Sequence, residues 1–259
     1  MTMGASWAVL TAELTKIRTV RSTLWTFVLT FLVSVAIGLS LGLAVRGTFD
    51  DRTPQERANF DAVYTGFQGL TFSQIILLVF GVLVVSTEYT SGTIRTSLAA
   101  VPRRGLFYGA KITVGTLLAA GVALASAFLT FFVAQAALGP HSTSFDAPGS
   151  ARAVWGAALY MTLMCAFAMG AATMLRSSVL ALALLVPLFF IVSPILNIIP
   201  GVEKAARYLP DQAGAVLMRV VERDDMTTAY GPGTAVLVLV AWTVAAVLGG
   251  YAVLHRRDA

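Results

Sequence analysis

Acid, glycine, arginine and proline are gathered in STEYTSGTIRTSLAAVPRRG, Ser86–Gly105, between two long apolar runs. Its four charges, Glu88, Arg95, Arg103 and Arg104, suit recognition of a charged partner rather than covalent chemistry. Covalent chemistry has little to work with elsewhere. The single cysteine, Cys165, lies inside an apolar run and is expected to be a small packing residue, and His141 and His255 stand far apart in sequence. No nucleophile with its base and no set of metal ligands can be assembled, so no catalytic or metal-binding residue is expected. GLFYGAKIT, Gly105–Thr113, superficially has the look of a phosphate loop, but Ala110 precedes Lys111 and Ile112 follows it, so the G-x-x-x-x-G-K-[ST] spacing fails. No cofactor is expected on this chain, and ATP must be handled by another protein.

The elements that position these residues are set by composition. The 259 residues are 57% hydrophobic and 12% charged, with a mean hydropathy of +0.80, which leaves too few polar groups to cover a water-facing surface. Six stretches lack Lys, Arg, Asp and Glu: 22–45, 62–87, 112–145, 153–175, 177–202 and 226–255. Each holds the roughly 20 apolar residues that a helix needs to cross a bilayer. Continuous rather than alternating runs favour helices over barrel strands. An all-α integral membrane protein follows, one domain over 1–259, with spans near 24–45, 66–87, 107–136, 153–175, 178–198 and 233–254. The first run exceeds a signal-peptide core and no small-residue cleavage site follows it, so it is expected to remain in the mature protein.

Six crossings place both termini on one side. Segments on that side carry a charge of +7 and those opposite −2, which together give the chain's +5. Positive residues favour the cytoplasm, so both termini are expected there, in a bacterial plasma membrane. The basic balance is a matter of topology, and no nucleic-acid partner is expected.

Along the chain, Trp7, Leu10, Leu14 and Ile17 recur at helical spacing beside Lys16, Arg18 and Arg21, the pattern of a basic amphipathic helix in the membrane interface. Ser34, Gly38 and Gly42 recur every fourth residue of the first span, a strip for close helix packing either within the chain or with a second copy. Thr53, Pro54 and Glu56 predict a capping box on a short outer helix. Pro187 and Pro194 predict a kink or early end in the fifth span. Between spans five and six, Pro200 and Pro210 act as breaks and Asp211 as a cap, with Val216, Leu217 and Val220 on one face of a helix that either rests on or dips into the membrane or stands as a solvated loop helix. The charge-free cores of the spans hold no Asp, Glu, His or Lys, only amides such as Gln74, Gln135 and Asn197, which argues against an ion-coupled pump.

Glu88 falls where the second span ends, and Gly92-Thr93 turn the chain. Ile94, Leu98 and Val101 then give a short helix one apolar face, closed by Pro102, before the third span begins near Phe107 with Lys111 snorkelling to the interface. The segment reads either as a connector or as a docking surface. In TEYTSGTIRTSLAAVPRRGLFYGAK the sequence resembles the permease subunits of ABC-2 type transporters, where an acid, a Gly-Thr pair, an arginine, a proline and a basic residue recur between spans two and three. The interfacial first helix, six spans and longer outer segment resemble that family too.

The resemblance implies a half-transporter that pairs with a second permease, identical or not, and with separate ATPase subunits that bind ATP and Mg. It implies that Glu88, Gly92, Thr93 and Arg95 form the bend, and that the helix Ile94–Val101, with Leu98, Pro102, Arg103 and Arg104, contacts the ATPase. The outer segment Gly201–Arg223 corresponds to partly re-entrant helices. Uncharged spans fit export of an amphiphilic or apolar cargo such as a drug, antibiotic or lipid. The alternatives are a non-transporting membrane partner of an ATPase, a sensor or immunity protein, and an intramembrane enzyme, which the missing catalytic groups disfavour.

Overall fold

The computed structural model describes residues 3–221 and 230–256, and among these every regular element is helical. In chain order they are α1 (Met3–Thr19), α2 (Arg21–Thr48), α3 (Pro54–Ala58), α4 (Ala62–Thr90), α5 (Thr93–Ala100), α6 (Arg104–Leu138), α7 (Ser150–Leu175), α8 (Ser178–Pro187), α9 (Ser193–Leu196), α10 (Glu203–Ala206), α11 (Pro210–Met218) and α12 (Pro232–Arg256). Among the described residues six segments are long and apolar enough to cross a membrane: α2, α4, α6, α7, the α8–α9 unit and α12. The observed helices run past the charge-free stretches. Helix α4 takes in Glu88 and α6 takes in Lys111, because backbone hydrogen bonding continues until a breaker intervenes. The breaker after α4 is Gly92, in the left-handed region at φ +73.

Helix α7 is the hub, with most of its residues buried among α4, α6, α8, α11 and α12. Lipid tails are as apolar as leucine, so helices associate here through close packing of small side chains rather than through exclusion of water. Cys165 is buried and unpaired within α7, and a Cβ placed on Gly81 of α4 would come 3.1 Å from its Sγ. The strip on α2 lies inside the chain. A Cβ on Gly38 would stand 2.9 Å from Thr130 Cγ2 of α6 and 3.1 Å from the Gly66 carbonyl of α4; on Gly42 it would meet Ala137 at 2.7 Å. Ser34 is buried on the same face.

Span five is broken where its prolines remove backbone donors. Helix α8 ends at Pro187, a π-helical turn occupies Leu188–Val192, and α9 follows with Pro194 in its first turn. At the other end of the bundle from the termini, Thr53 and Glu56 form the expected capping box: Glu56 Oε2 accepts from Thr53 N at 2.8 Å, and Thr53 Oγ1 accepts from Glu56 N at 3.3 Å. Helix α11 packs on α7 and α12, with Leu217 buried and Val216 and Val220 half-buried in the core. The last residues of the segment ending at Arg223, and the carboxyl tail beyond Arg256, lie outside the described residues.

Candidate coupling site

The polar stretch sits at the end of the bundle that carries both termini, where α1, α4, α5 and α6 converge. Helix α1 presents Leu10, Leu14 and Ile17 to the bundle core, leaving Trp7 exposed. Glu13 belongs to that same face by its 10, 13, 14, 17 spacing and is therefore carried into the interior. Glu88, in the last turn of α4, and Lys111, in the second turn of α6, are buried opposite it.

The charges meet in one network. Lys111 Nζ donates to Glu13 Oε2 at 2.6 Å and to Glu88 Oε1 at 2.9 Å. Lys16 Nζ donates to Glu13 Oε1 and Glu88 Oε1, both at 3.0 Å, and to Ser97 Oγ of α5 at 3.2 Å. The Phe107 ring lies 5.3 Å from the Lys111 ammonium and 5.9 Å from that of Lys16. Two cations balance two anions, which is what permits burial: each ion's desolvation is offset only while its partners are in place. Desolvation lowers the Lys16 pKa, but the hydrogen bonds it donates to Glu13 and Glu88, with their negative charge, outweigh it and hold the pKa above its ordinary 10.5. Lys111 thus does not snorkel. Its neutralising carboxylates are inside the protein, so the ammonium is drawn inward. Glu88 Oε2 is buried without a partner, and Oε1 takes both lysines.

Helix α5 is anchored by the apolar face expected to dock a partner. Ile94 is buried against Tyr108 and Leu254, with Leu98 packed beside it, because an eight-residue helix needs a tertiary contact to persist. The surface it leaves open consists of Arg95, Thr96, Ala99, Ala100, Pro102 and Arg103. Thr93, in the first turn, shares a hydrogen bond with Ser91 at 2.8 Å. Arg103 and Arg104, adjacent in sequence, part company. Arg104 Nη1 donates to the Leu254 carbonyl at 2.8 Å, satisfying an orphan acceptor at the negative end of α12, whereas Arg103 stays exposed. Between α1 and α5 runs a groove of about 830 Å³, with Ala8, Ala12, Ala100 and Val101 on its walls and Glu13, Lys16 and Arg103 at its polar edges.

Sequence reasoning gathered Glu88, Gly92, Thr93, Ile94, Arg95, Leu98, Val101, Pro102 and Arg103 into one region, and the fold keeps them there. It missed Glu13, Lys16 and Lys111 as partners of Glu88. The i, i+3 pair of Glu13 and Lys16 was a signal, because one of the two stands on an apolar helix face.

Residues 7–259 match the family described as ABC-2 family transporter protein. No curated protein matches the sequence. Covering nearly the whole chain, the family match establishes that the protein belongs to the ABC-2 transporter family and is a multi-pass membrane component of such a system.

Proposed function

From membership of the ABC-2 family we infer that the chain is the permease subunit of an ATP-driven exporter, working as a pair of permeases with separate ATPase subunits. The observation that carries the coupling assignment is the groove between α1 and α5, backed by a buried four-charge network that joins α5 to α1, α4 and α6. An ATPase element seated in the groove pushes on α5 and α1 together, and Lys16 links that movement to the ends of the second and third spans. The energy comes from the different affinity of the ATPase pair for this surface in its ATP and ADP states. Both termini and the groove face the cytoplasm by the charge asymmetry of the chain, in a bacterial plasma membrane. The charge-free stretches of the spans fit an amphiphilic or apolar cargo.

The test is co-purification of the tagged chain in mild detergent with the ATPase encoded beside it, comparing wild type with Arg103→Glu. Loss of the ATPase from a variant that still elutes as a folded species supports docking at the groove. Retention moves docking elsewhere, and no ATPase with the wild type counts against the transporter reading.

A further inference from the structure

We propose that the cleft between Arg52 and Arg219, at the end of the bundle opposite the termini, binds the phosphate headgroup of an anionic lipid in the adjoining leaflet. The cleft measures about 710 Å³ and lies among the end of α2, the segment from Arg52 to Gln68, and residues 219–221. Both guanidiniums are held by aromatic faces. Arg52 lies 5.7 Å from the Phe49 ring and 5.3 Å from that of Phe60, and Arg219 lies 4.6 Å from that of Tyr64. Stacking fixes the plane of a guanidinium while leaving its edge to donate, which is the arrangement that takes a phosphate by two parallel hydrogen bonds.

Neither arginine has a carboxylate at ion-pair distance among the described residues. The two acids lining the cleft are already engaged. Asp61 accepts from Tyr64 N at 2.8 Å, Val220 N at 2.6 Å and Val221 N at 2.9 Å; Glu56 closes the capping box. Asp61 therefore holds the backbone next to Arg219 without pairing with its guanidinium, and Arg152 Nη2 donates to the Arg219 carbonyl at 2.7 Å from the other side. Among the described residues Arg219 Nε is buried with no acceptor, and Nη2 donates to Tyr64 Oη at 3.5 Å. That contact is at the outer limit of a hydrogen bond, so an anion in the cleft offers the guanidinium a stronger acceptor. The remaining wall favours a lipid over a free phosphate. Leu41 and Val45 of α2, the first span, line it and offer an acyl chain apolar surface beside the headgroup.

The test uses the full chain in mild detergent with dioleoyl phosphatidylglycerol or inorganic phosphate at matched ionic strength, read as retained lipid by native mass spectrometry and as a shift in Tm. Wild type is expected to retain the lipid and gain Tm, and Arg52→Gln/Arg219→Gln to retain about tenfold less. Gln55→Glu places a carboxylate at the exposed rim without touching the core. It should weaken retention while leaving the lipid-free Tm unchanged, which keeps the test valid should the double variant fold poorly. Inorganic phosphate raising Tm as much as the lipid overturns the lipid assignment in favour of a free anion. Equal lipid retention by wild type and Gln55→Glu, or by a folded double variant, overturns the site.

Discussion

Lys111 Nζ of α6 lies 2.6 Å from Glu13 Oε2 of α1, and the pair closes across 98 positions of sequence with both side chains almost wholly shielded from solvent. Glu13 lines the groove that a partner would meet, and Lys111 ties it from behind to the start of α6, so the contact anchors one wall of that groove to the third span.

Removing the ammonium leaves Lys16 to balance two buried carboxylates. Lys111→Met should cost about 3–5 kcal/mol of unfolding free energy, the range for breaking a buried pair from one side. Lys111→Met with Glu13→Gln should recover part of that loss, because one of the stranded charges goes with it. Denaturant unfolding in detergent of the two single variants and the double variant reads the coupling directly. Additive losses would mean that the residues act independently.

Lys16 differs from Lys111 in that its side chain is 47% exposed and it alone reaches α5, through Ser97. Half-exposed, its pairs are screened more than those of Lys111, so Lys16→Met should cost less unfolding free energy than Lys111→Met. Stimulation of the partner ATPase should fall severalfold while the ATPase remains bound. The raised Lys16 pKa means that its contribution is complete at neutral pH and is lost only as pH climbs through a folded value above 10.5. A coupling defect caused by Lys16→Met should therefore not be reproduced in wild type by titration from pH 6 to pH 8. Glu88→Ala should likewise insert normally and reduce stimulation, and normal coupling in that variant would remove Glu88 from the mechanism.

The strip on α2 gives a prediction about which level of assembly fails. Gly38→Leu drives a side chain into Thr130 and the Gly66 carbonyl, both in the same chain, so overpacking should destabilise the single subunit by about 1–3 kcal/mol. Unfolding of detergent-solubilised protein checks this, with cross-linking alongside. Unchanged unfolding together with lost cross-linking would place the strip between copies.

How much of this was legible beforehand follows from what each residue's neighbours are. Spans, the capping box at Thr53 and the break at Pro187 are set by residues close in sequence, and the runs and spacings exposed them. The partners of Glu88 are not local: Lys16 is 72 positions away and Lys111 is 23. A lone lysine near the start of an apolar helix has two ways to avoid isolation, snorkelling or pairing, and only the tertiary arrangement of α1 selects the second. The inward turn of Arg104 has the same origin, because its acceptor is the far end of α12. Ile94 was readable as apolar, but whether an apolar face meets its own bundle or a partner depends on how α5 is hung from Gly92.

Asp211, at the start of α11 and outside the six spanning segments, gives the last prediction. Its Oδ2 accepts from Ser193 Oγ at 2.6 Å and Gln212 Nε2 at 2.7 Å, while Oδ1 is buried with no partner. Burial pushes the carboxyl pKa up from its ordinary 3.8, and the hydrogen bonds from Ser193 and Gln212 only partly oppose it. A carboxyl that binds its proton more tightly when folded penalises folding above its folded pKa. The penalty is relieved as pH falls through that value toward 3.8. Asp211→Asn keeps an oxygen acceptor for Ser193 and removes the charge, so its Tm at pH 7 should equal or exceed that of wild type. The relief that wild type gains on acidification should be absent from the variant. Unfolding midpoints measured from pH 7 down to pH 4 in the same detergent decide the matter. A variant less stable at pH 7, with the acid response of wild type, would mean that Ser193 and Gln212 hold Asp211 as a stabilising carboxylate.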